Sequence, residues 1–171
     1  MVTFSSSDLM CNMRIGIGKD IHKTIAGKEL FLGGVNIPSN FGLEAHSDGD
    51  VIIHALVDAI LGALALGDIG VHYPNTDDKF KDYDSKLFLK DMKNILDLHG
   101  YFVENIDICV VCEAPKLKDY VLSMRKCIAE CLAISIEKVS IKPGTNEGIG
   151  EIGAGKAIEA TAVVLLNETN K

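Results

Sequence analysis

The chain has 171 residues, 47% hydrophobic and 24% charged, with a formal net charge of −7. That make-up suits one globular domain able to bury about two-thirds of its unfolded surface. The acidic balance argues against a nucleic-acid partner, and any phosphorylated ligand would need local cations, metal ions or clustered N–H groups to meet it.

No apolar run approaches the roughly 20 residues of a membrane span. The start, MVTFSSSDLMCNM, lacks the basic and apolar regions of a secretory signal and reads as a frayed cytosolic tail over residues 1–13. A single domain over 14–171 follows. RIGIGKDIHKT alternates Ile15, Ile17 and Ile21 with polar neighbours, the pattern of a strand. ELFLGGVNIP reads as a short strand ending at a Gly-Gly turn. Residues 48–66 carry apolar positions at helical spacing, with Gly67 as the stop. HYPNTDDKFKDYD reads as loop. A second helix is expected from Asp84, its N-cap, to Gly100, burying Phe88, Met92, Ile95 and Leu96. YFVENIDICVVCEA is strand, and Pro115 is expected to open a third helix with Val121, Met124, Ile128 and Leu132 inward. EKVSIKP is a short strand before the glycine-rich GTNEGIGEIGAGK, and AIEATAVVLLN reads as a closing buried strand, helix being the other reading. Alternating strands and helices give the fold class as α/β, an α+β sandwich whose mixed β-sheet is covered by helices.

The five cysteines, an odd count with no secretion signal, are expected to be reduced. Cys109 and Cys112 have metal-like spacing but lie on a strand, where residues three apart face opposite ways. Cys127 and Cys131, one helical turn apart, fit a buried helix face. GIGEIG, residues 148–153, matches a dinucleotide fingerprint literally. Only 18 residues follow Gly153, too few for the unit that the fingerprint requires.

Asp20 and His22 are two apart on a strand and so project from one face. With His54 from the first helix they form an N/O trio of the kind zinc accepts, with a fourth position open. Either fragment alone reads more simply, as a surface Asp–His pair or a packed histidine. Asp58, one turn beyond His54, is placed to hold its second ring nitrogen. His46 and Ser47 precede the helix, near its positive end, where a phosphate is favoured. Ser47 or Asp48 could be the N-cap, with Asp50 in the first turn.

Together GKDIHK, GGVNIP, AHSDGDVIIHALVDAILGALALGDIGVHYPNTD, EAPKL and KPGTNEG resemble the 2-C-methyl-D-erythritol 2,4-cyclodiphosphate synthases of the non-mevalonate isoprenoid pathway, from about Arg14 to the end. The resemblance implies homotrimers with sheets facing the trimer axis and active sites between subunits. It implies cyclisation of 4-diphosphocytidyl-2-C-methyl-D-erythritol 2-phosphate with release of CMP. Asp20, His22 and His54 would be zinc ligands, and Asp20, His22, His46 and Ser47 would also meet the substrate. Asp68, Ile69 and Gly70 would bind the methylerythritol part, and Tyr73, Asn75 and Asp77 would belong to a loop over it. Cys112, Ala114, Pro115, Lys116 and Leu117 would form the cytidine pocket. Gly144, Thr145 and Glu147 would act at the diphosphate, Glu147 holding magnesium or manganese, with His46 and Thr145 as catalytic donors.

The chain departs from the family's usual pattern at Asn75, where an acid is common, and at Gly144, Asn146 and Gly148 in a segment usually rich in threonine and ending in lysine. Glu151 and Ala154 replace an aromatic and an arginine associated with the trimer's central cavity. Two other classes compete. One is a zinc-dependent hydrolase of a phosphorylated small molecule, with Asp68 as base. The other is a non-catalytic trimer with structural zinc. Bacterial cytoplasm is the expected compartment, with plastid stroma as the alternative.

Overall fold

The computed structural model describes residues 12–81 and 83–169, so the expected tail lies, through residue 11, outside the described residues. Alternating isoleucines make β1, Arg14–Ala26. The segment read as one strand is a hairpin instead, β2 (Leu30–Leu32) against β3 (Val35–Ile37). Gly33 and Gly34 turn it with φ of 58° and 77°, values that glycine adopts without the Cβ penalty. Next, β4 (Phe41–Leu43) pairs with the end of β1.

Helix α1 covers Val51–Leu64 rather than 48–66. It starts later because Asp50 is the N-cap, accepting from the Ile52 and Ile53 N–H groups. It stops earlier because Ala65, not Gly67, takes the left-handed C-terminal position with φ of 59°. A short α2 (Ile69–His72) follows, and the expected loop contains a 3-10 turn at Asp78–Phe80. Helix α3, Ser85–His99, has the expected caps, Asp84 and Gly100. Its buried positions include Phe88, Met92 and Leu96, with Ile95 half-buried.

Strand β5 spans Tyr101–Val111. Pro115 does not open the third helix: it sits in a loop, after a cis peptide bond, and α4 runs Val121–Leu132 behind a 3-10 turn at Lys118–Tyr120. The loop is held locally, since the Cys112 thiol donates to the Ala114 carbonyl at 3.0 Å. Strand β6 (Val139–Gly144), the single turn α5 (Gly150–Gly153) and β7 (Ala157–Glu168) complete the chain. The literal fingerprint 148–153 is therefore a turn before an antiparallel strand. The four described cysteines are free, Cys109 exposed and Cys112 buried as strand alternation requires. Cys127 and Cys131 are half-buried rather than buried.

The main sheet has the order β4-β1-β7-β5-β6, mixed because only β5 and β6 run parallel. Helix α1 lies on β1 and β7, and α4 packs against β6 and α3. Gly16 and Gly18 set how close α1 comes. A Cβ on Gly16 would lie 1.9 Å from the Ala59 carbonyl oxygen, and one on Gly18 2.1 Å from that of Ala55. The small face Ala55–Ala59–Ala63 thus rests directly on strand backbone. Helices cover one sheet face only; on the other, Ile15 and Ile17 are 72% and 69% exposed. None of the helices among the described residues is long and apolar enough to cross a membrane.

Candidate active site

The glycine–alanine contact fixes the first site. Asp20 and His22 continue the β1 face that carries Gly16 and Gly18, so they meet the start of α1, where His54 sits. Asp20 Oδ2 lies 2.8 Å from His22 Nε2 and 3.0 Å from His54 Nδ1, and the two imidazole nitrogens are 3.2 Å apart. A tetrahedral site with zinc–ligand bonds of 2.0–2.1 Å spaces its donors by roughly 3.3 Å. The trio therefore fits a small divalent cation, and it is the only such cluster among the described residues. Burial alone would raise the Asp20 carboxyl. Hydrogen bonds with His22 and His54, and their charge, outweigh it and hold the group well below the ordinary carboxylate range. His54 moves the other way: burial favours its neutral form, but Asp20 and the more distant Asp50 and Asp48 prevail and raise it.

His54 Nε2 faces Ser47 Oγ and Ser85 Oγ, each at 3.1 Å. Asp58 does not hold this nitrogen, contrary to expectation. Its carboxylate accepts the Ile69 N–H at 2.7 Å and so ties α1 to the start of α2. The fully buried Asp50 carboxylate also accepts from Gly33 N (2.8 Å) and Gly34 N (2.6 Å), locking the β2–β3 turn to the helix. Neither Ser47 nor Asp48 is the cap, and Asp50 stands before the first turn, not in it. Burial and the neighbouring Asp48 push Asp50 up to about 6, with its N–H partners pulling back, so it is a carboxylate at neutral pH.

A cleft of about 590 Å³ opens over the trio. Asp20, His22, His46, Ser47, His54, Ile69, Gly70, Tyr73 and Asn75 all line it. The loop that carries Asn75 is propped by aromatic rings: Tyr73 packs tilted against Phe88 with ring centroids 4.4 Å apart, and its hydroxyl donates to Asp91. His46 Nε2 lies 3.3 Å from the Asp77 carbonyl. Two expected residues are not among the lining groups. Asp68 caps α2, accepting the Val71 N–H at 3.0 Å, and the Asp77 carboxylate accepts the Lys79 N–H at 3.1 Å.

A second cleft, about 220 Å³, is lined by Cys112, Lys116, Leu117, Gly144 and Thr145, with Glu113, Lys118 and Pro143. Ala114 and Pro115 belong to the same loop without lining it. Glu147 is exposed, in a left-handed conformation with φ of 51°, and Thr145 Oγ1 donates to its carboxylate at 2.7 Å. Burial raises the Cys112 thiol to about 11, so it stays protonated as a hydrogen-bond donor. The two clefts share no lining residue. Asp20 pairs across the sheet with Ala160, Ala160 with Val110, and Val110 with Pro143. Three strand spacings, about 14 Å, separate the sites.

Sequence reasoning missed several groups here. Phe80 and Phe88 wall the first cleft, although Phe88 read only as core. Ser85, directly after an N-cap, carried no signal of its own, because its contact to His54 crosses 31 positions. Lys28, whose ammonium bonds the Ala45 and Ser47 carbonyls at 3.4 Å, was equally silent. So was Glu113, which accepts the Asn146 N–H at 2.6 Å and steadies the loop bearing Thr145 and Glu147.

Residues 13–167 match the YgbB family. The 2-C-methyl-D-erythritol 2,4-cyclodiphosphate synthase of Pelodictyon phaeoclathratiforme is 51% identical over 90% of this chain and 98% of its own. An IspF of Plasmodium falciparum, solved as a CDP complex, superposes with a TM-score of 0.82 at 39% identity, covering 92% of this chain and 97% of that one. The bifunctional IspDF of Campylobacter jejuni gives a TM-score of 0.90 at 41% identity over 94% of this chain, which spans 43% of that longer protein. On this match along nearly its whole length, the chain belongs to the YgbB family.

Proposed function

We propose that the protein is a cyclodiphosphate synthase. It cyclises 4-diphosphocytidyl-2-C-methyl-D-erythritol 2-phosphate to 2-C-methyl-D-erythritol 2,4-cyclodiphosphate and releases CMP. The observation that carries this reading is the Asp20–His22–His54 trio at the floor of a cleft, in a chain matched over 90% of its length by a synthase of that name.

The 2-phosphate oxygen attacks the β-phosphorus of the same molecule and the α-phosphate leaves with cytidine as CMP. Bond making and breaking both occur within the substrate, so the protein's work is positioning and charge neutralisation. Asp20, His22 and His54 would hold zinc, and Glu147 would hold magnesium or manganese. When bound, these ions supply Lewis acidity and positive charge at the diphosphate, which an acidic chain otherwise lacks. His46 and Ser47 donate to phosphate oxygens near the positive end of α1. Ile69, Gly70, Tyr73 and Asn75 enclose the methylerythritol part and exclude water. Cys112, Lys116 and Leu117, with Ala114 and Pro115, receive cytidine, and Gly144 and Thr145 orient the diphosphate, Thr145 donating as charge develops.

The separation of the two clefts supports a homotrimer in which the first cleft of one subunit faces the second cleft of its neighbour. The bare isoleucine face of β1 supports the same arrangement, with sheets turned toward the axis. Neither competing class gains support. Asp68, the base a hydrolase would need, is committed to capping α2. A structural zinc site normally closes with four protein ligands, and the trio has three.

Purified protein incubated with the cytidine substrate, Zn2+ and Mg2+ is expected to release CMP together with the cyclic product. No CMP release defeats the proposal. A linear phosphomonoester product would point to the hydrolase instead.

A further inference from the structure

Only one ring nitrogen of His54 can serve the metal trio. Nδ1 lies 3.0 Å from Asp20 Oδ2 and 3.2 Å from His22 Nε2, so Nε2 points into the protein. A neutral imidazole that offers Nδ1 to a cation carries its proton on Nε2. Two hydroxyls, Ser47 Oγ and Ser85 Oγ, stand 3.1 Å from that nitrogen.

The surroundings of the two serines differ. Ser85 is fully buried and is not among the groups lining the cleft. Its hydroxyl donates to Asp48 Oδ1 at 2.5 Å, and its backbone N–H donates to Asp48 Oδ2 at 2.9 Å. Asp48 is fixed in turn by the Asp50 N–H at 3.0 Å. With its proton committed to a carboxylate, the Ser85 oxygen presents only lone pairs to His54. Ser47 lines the cleft, and its other contact is the Gly49 N–H, a donor. The Ser47 proton therefore has no acceptor in its described contacts and is available to the cleft.

We infer that Asp48 and Ser85 are positioning residues of the metal centre, holding the His54 ring with Nδ1 toward the cation and leaving the Ser47 hydroxyl to donate to substrate. The inference rests on the proposed metal role of the trio but not on the reaction. Hydrogen-bond partners of metal-bound histidines typically change metal affinity by about 10–100-fold when removed.

The test is competitive zinc titration of the purified full-length protein without substrate, joined to proton NMR of the zinc-loaded form. Wild type is expected to show a downfield imidazole N–H proton protected from solvent exchange. Ser85→Ala is expected to lose that protection and to bind zinc about 10–100-fold more weakly, with unchanged circular dichroism. Asp48→Asn, which removes the charge from the acceptor, shifts affinity the same way by less. Ser47→Ala keeps zinc affinity within about threefold and keeps the protected proton. Equal zinc affinity in wild type and Ser85→Ala overturns the inference, as does a Ser47→Ala loss matching that of Ser85→Ala. Should Ser85→Ala not fold, an unprotected N–H in wild type, or unchanged zinc affinity in Asp48→Asn, overturns it as well. Zinc affinity that depends on Ser85 in a protein releasing no CMP would defeat the proposed reaction and leave this inference standing.

Discussion

Asp20, His22 and His54 stand on a strand and a helix pressed together through glycine and alanine, and their donor atoms already lie 2.8–3.2 Å apart. Lys116, Thr145 and Glu147 stand on loops after β5 and β6, Gly144 ends β6, and Gly144, Thr145 and Glu147 are exposed. The first cleft is defined by side chains on packed elements, with Ser47, His54, Phe80 and Phe88 buried; the second is lined largely by loop residues. Preorganisation on rigid elements suits a metal, whose ligands tolerate little displacement. A loop pocket suits a ligand read largely through backbone groups.

Substitutions should separate the halves, and the largest effect is expected at the trio. Asp20→Ala removes one of three ligands and leaves two histidines without their carboxylate. Turnover should fall on the order of 10²–10³-fold, the scale of single electrostatic stabilisers, with zinc content by elemental analysis falling in parallel. Retained zinc with full turnover would break the contrast. Gly18→Val attacks the scaffold beneath the same half, since its Cβ would meet the Ala55 carbonyl oxygen at 2.1 Å. About 3 kcal/mol of stability should be lost, the upper range for overpacking, measured by urea unfolding.

pH sharpens the comparison further. His54 must be neutral to bind a metal, and its proton is held more tightly than usual. Zinc affinity should therefore decline as pH falls through the raised His54 value, by about tenfold per pH unit for that one proton. Asp20, held well below the ordinary range, adds no competing proton in that window. Affinity flat from pH 8 to 5.5 would contradict this. The smallest effect is expected in the loop half. Thr145→Ala removes one exposed hydroxyl and should lower kcat about tenfold or less, the net value of a single hydrogen bond, with zinc binding unchanged, as followed by CMP release and zinc titration.

The Asp20–His22–His54 cluster was legible because each half carries a local signal: two residues apart on a strand fixes a shared face, and a solitary histidine in an apolar helix demands a partner. Asp58 shows where that reasoning fails. Helical spacing places it on the His54 face, but the Ile69 N–H, eleven positions on, claims its carboxylate. Pro115 failed for a related reason, because helix-opening preference says nothing of the Cys112 and Ala114 contacts that keep the segment a loop. Asp50 was placed within one turn of its true position. Its grip on Gly33 and Gly34 comes from a hairpin 16 and 17 positions away, beyond any local rule.

By itself, the sequence determined most of the long strands and helices and picked out the three residues of the candidate metal cluster, because alternation and helical spacing act over a few residues. Only the tertiary structure decided what stands behind His54, which carboxylates cap rather than catalyse, and how far apart the two clefts lie. Those outcomes depend on hydrogen bonds and sheet register between segments tens of residues apart, where many partners compete and packing selects one.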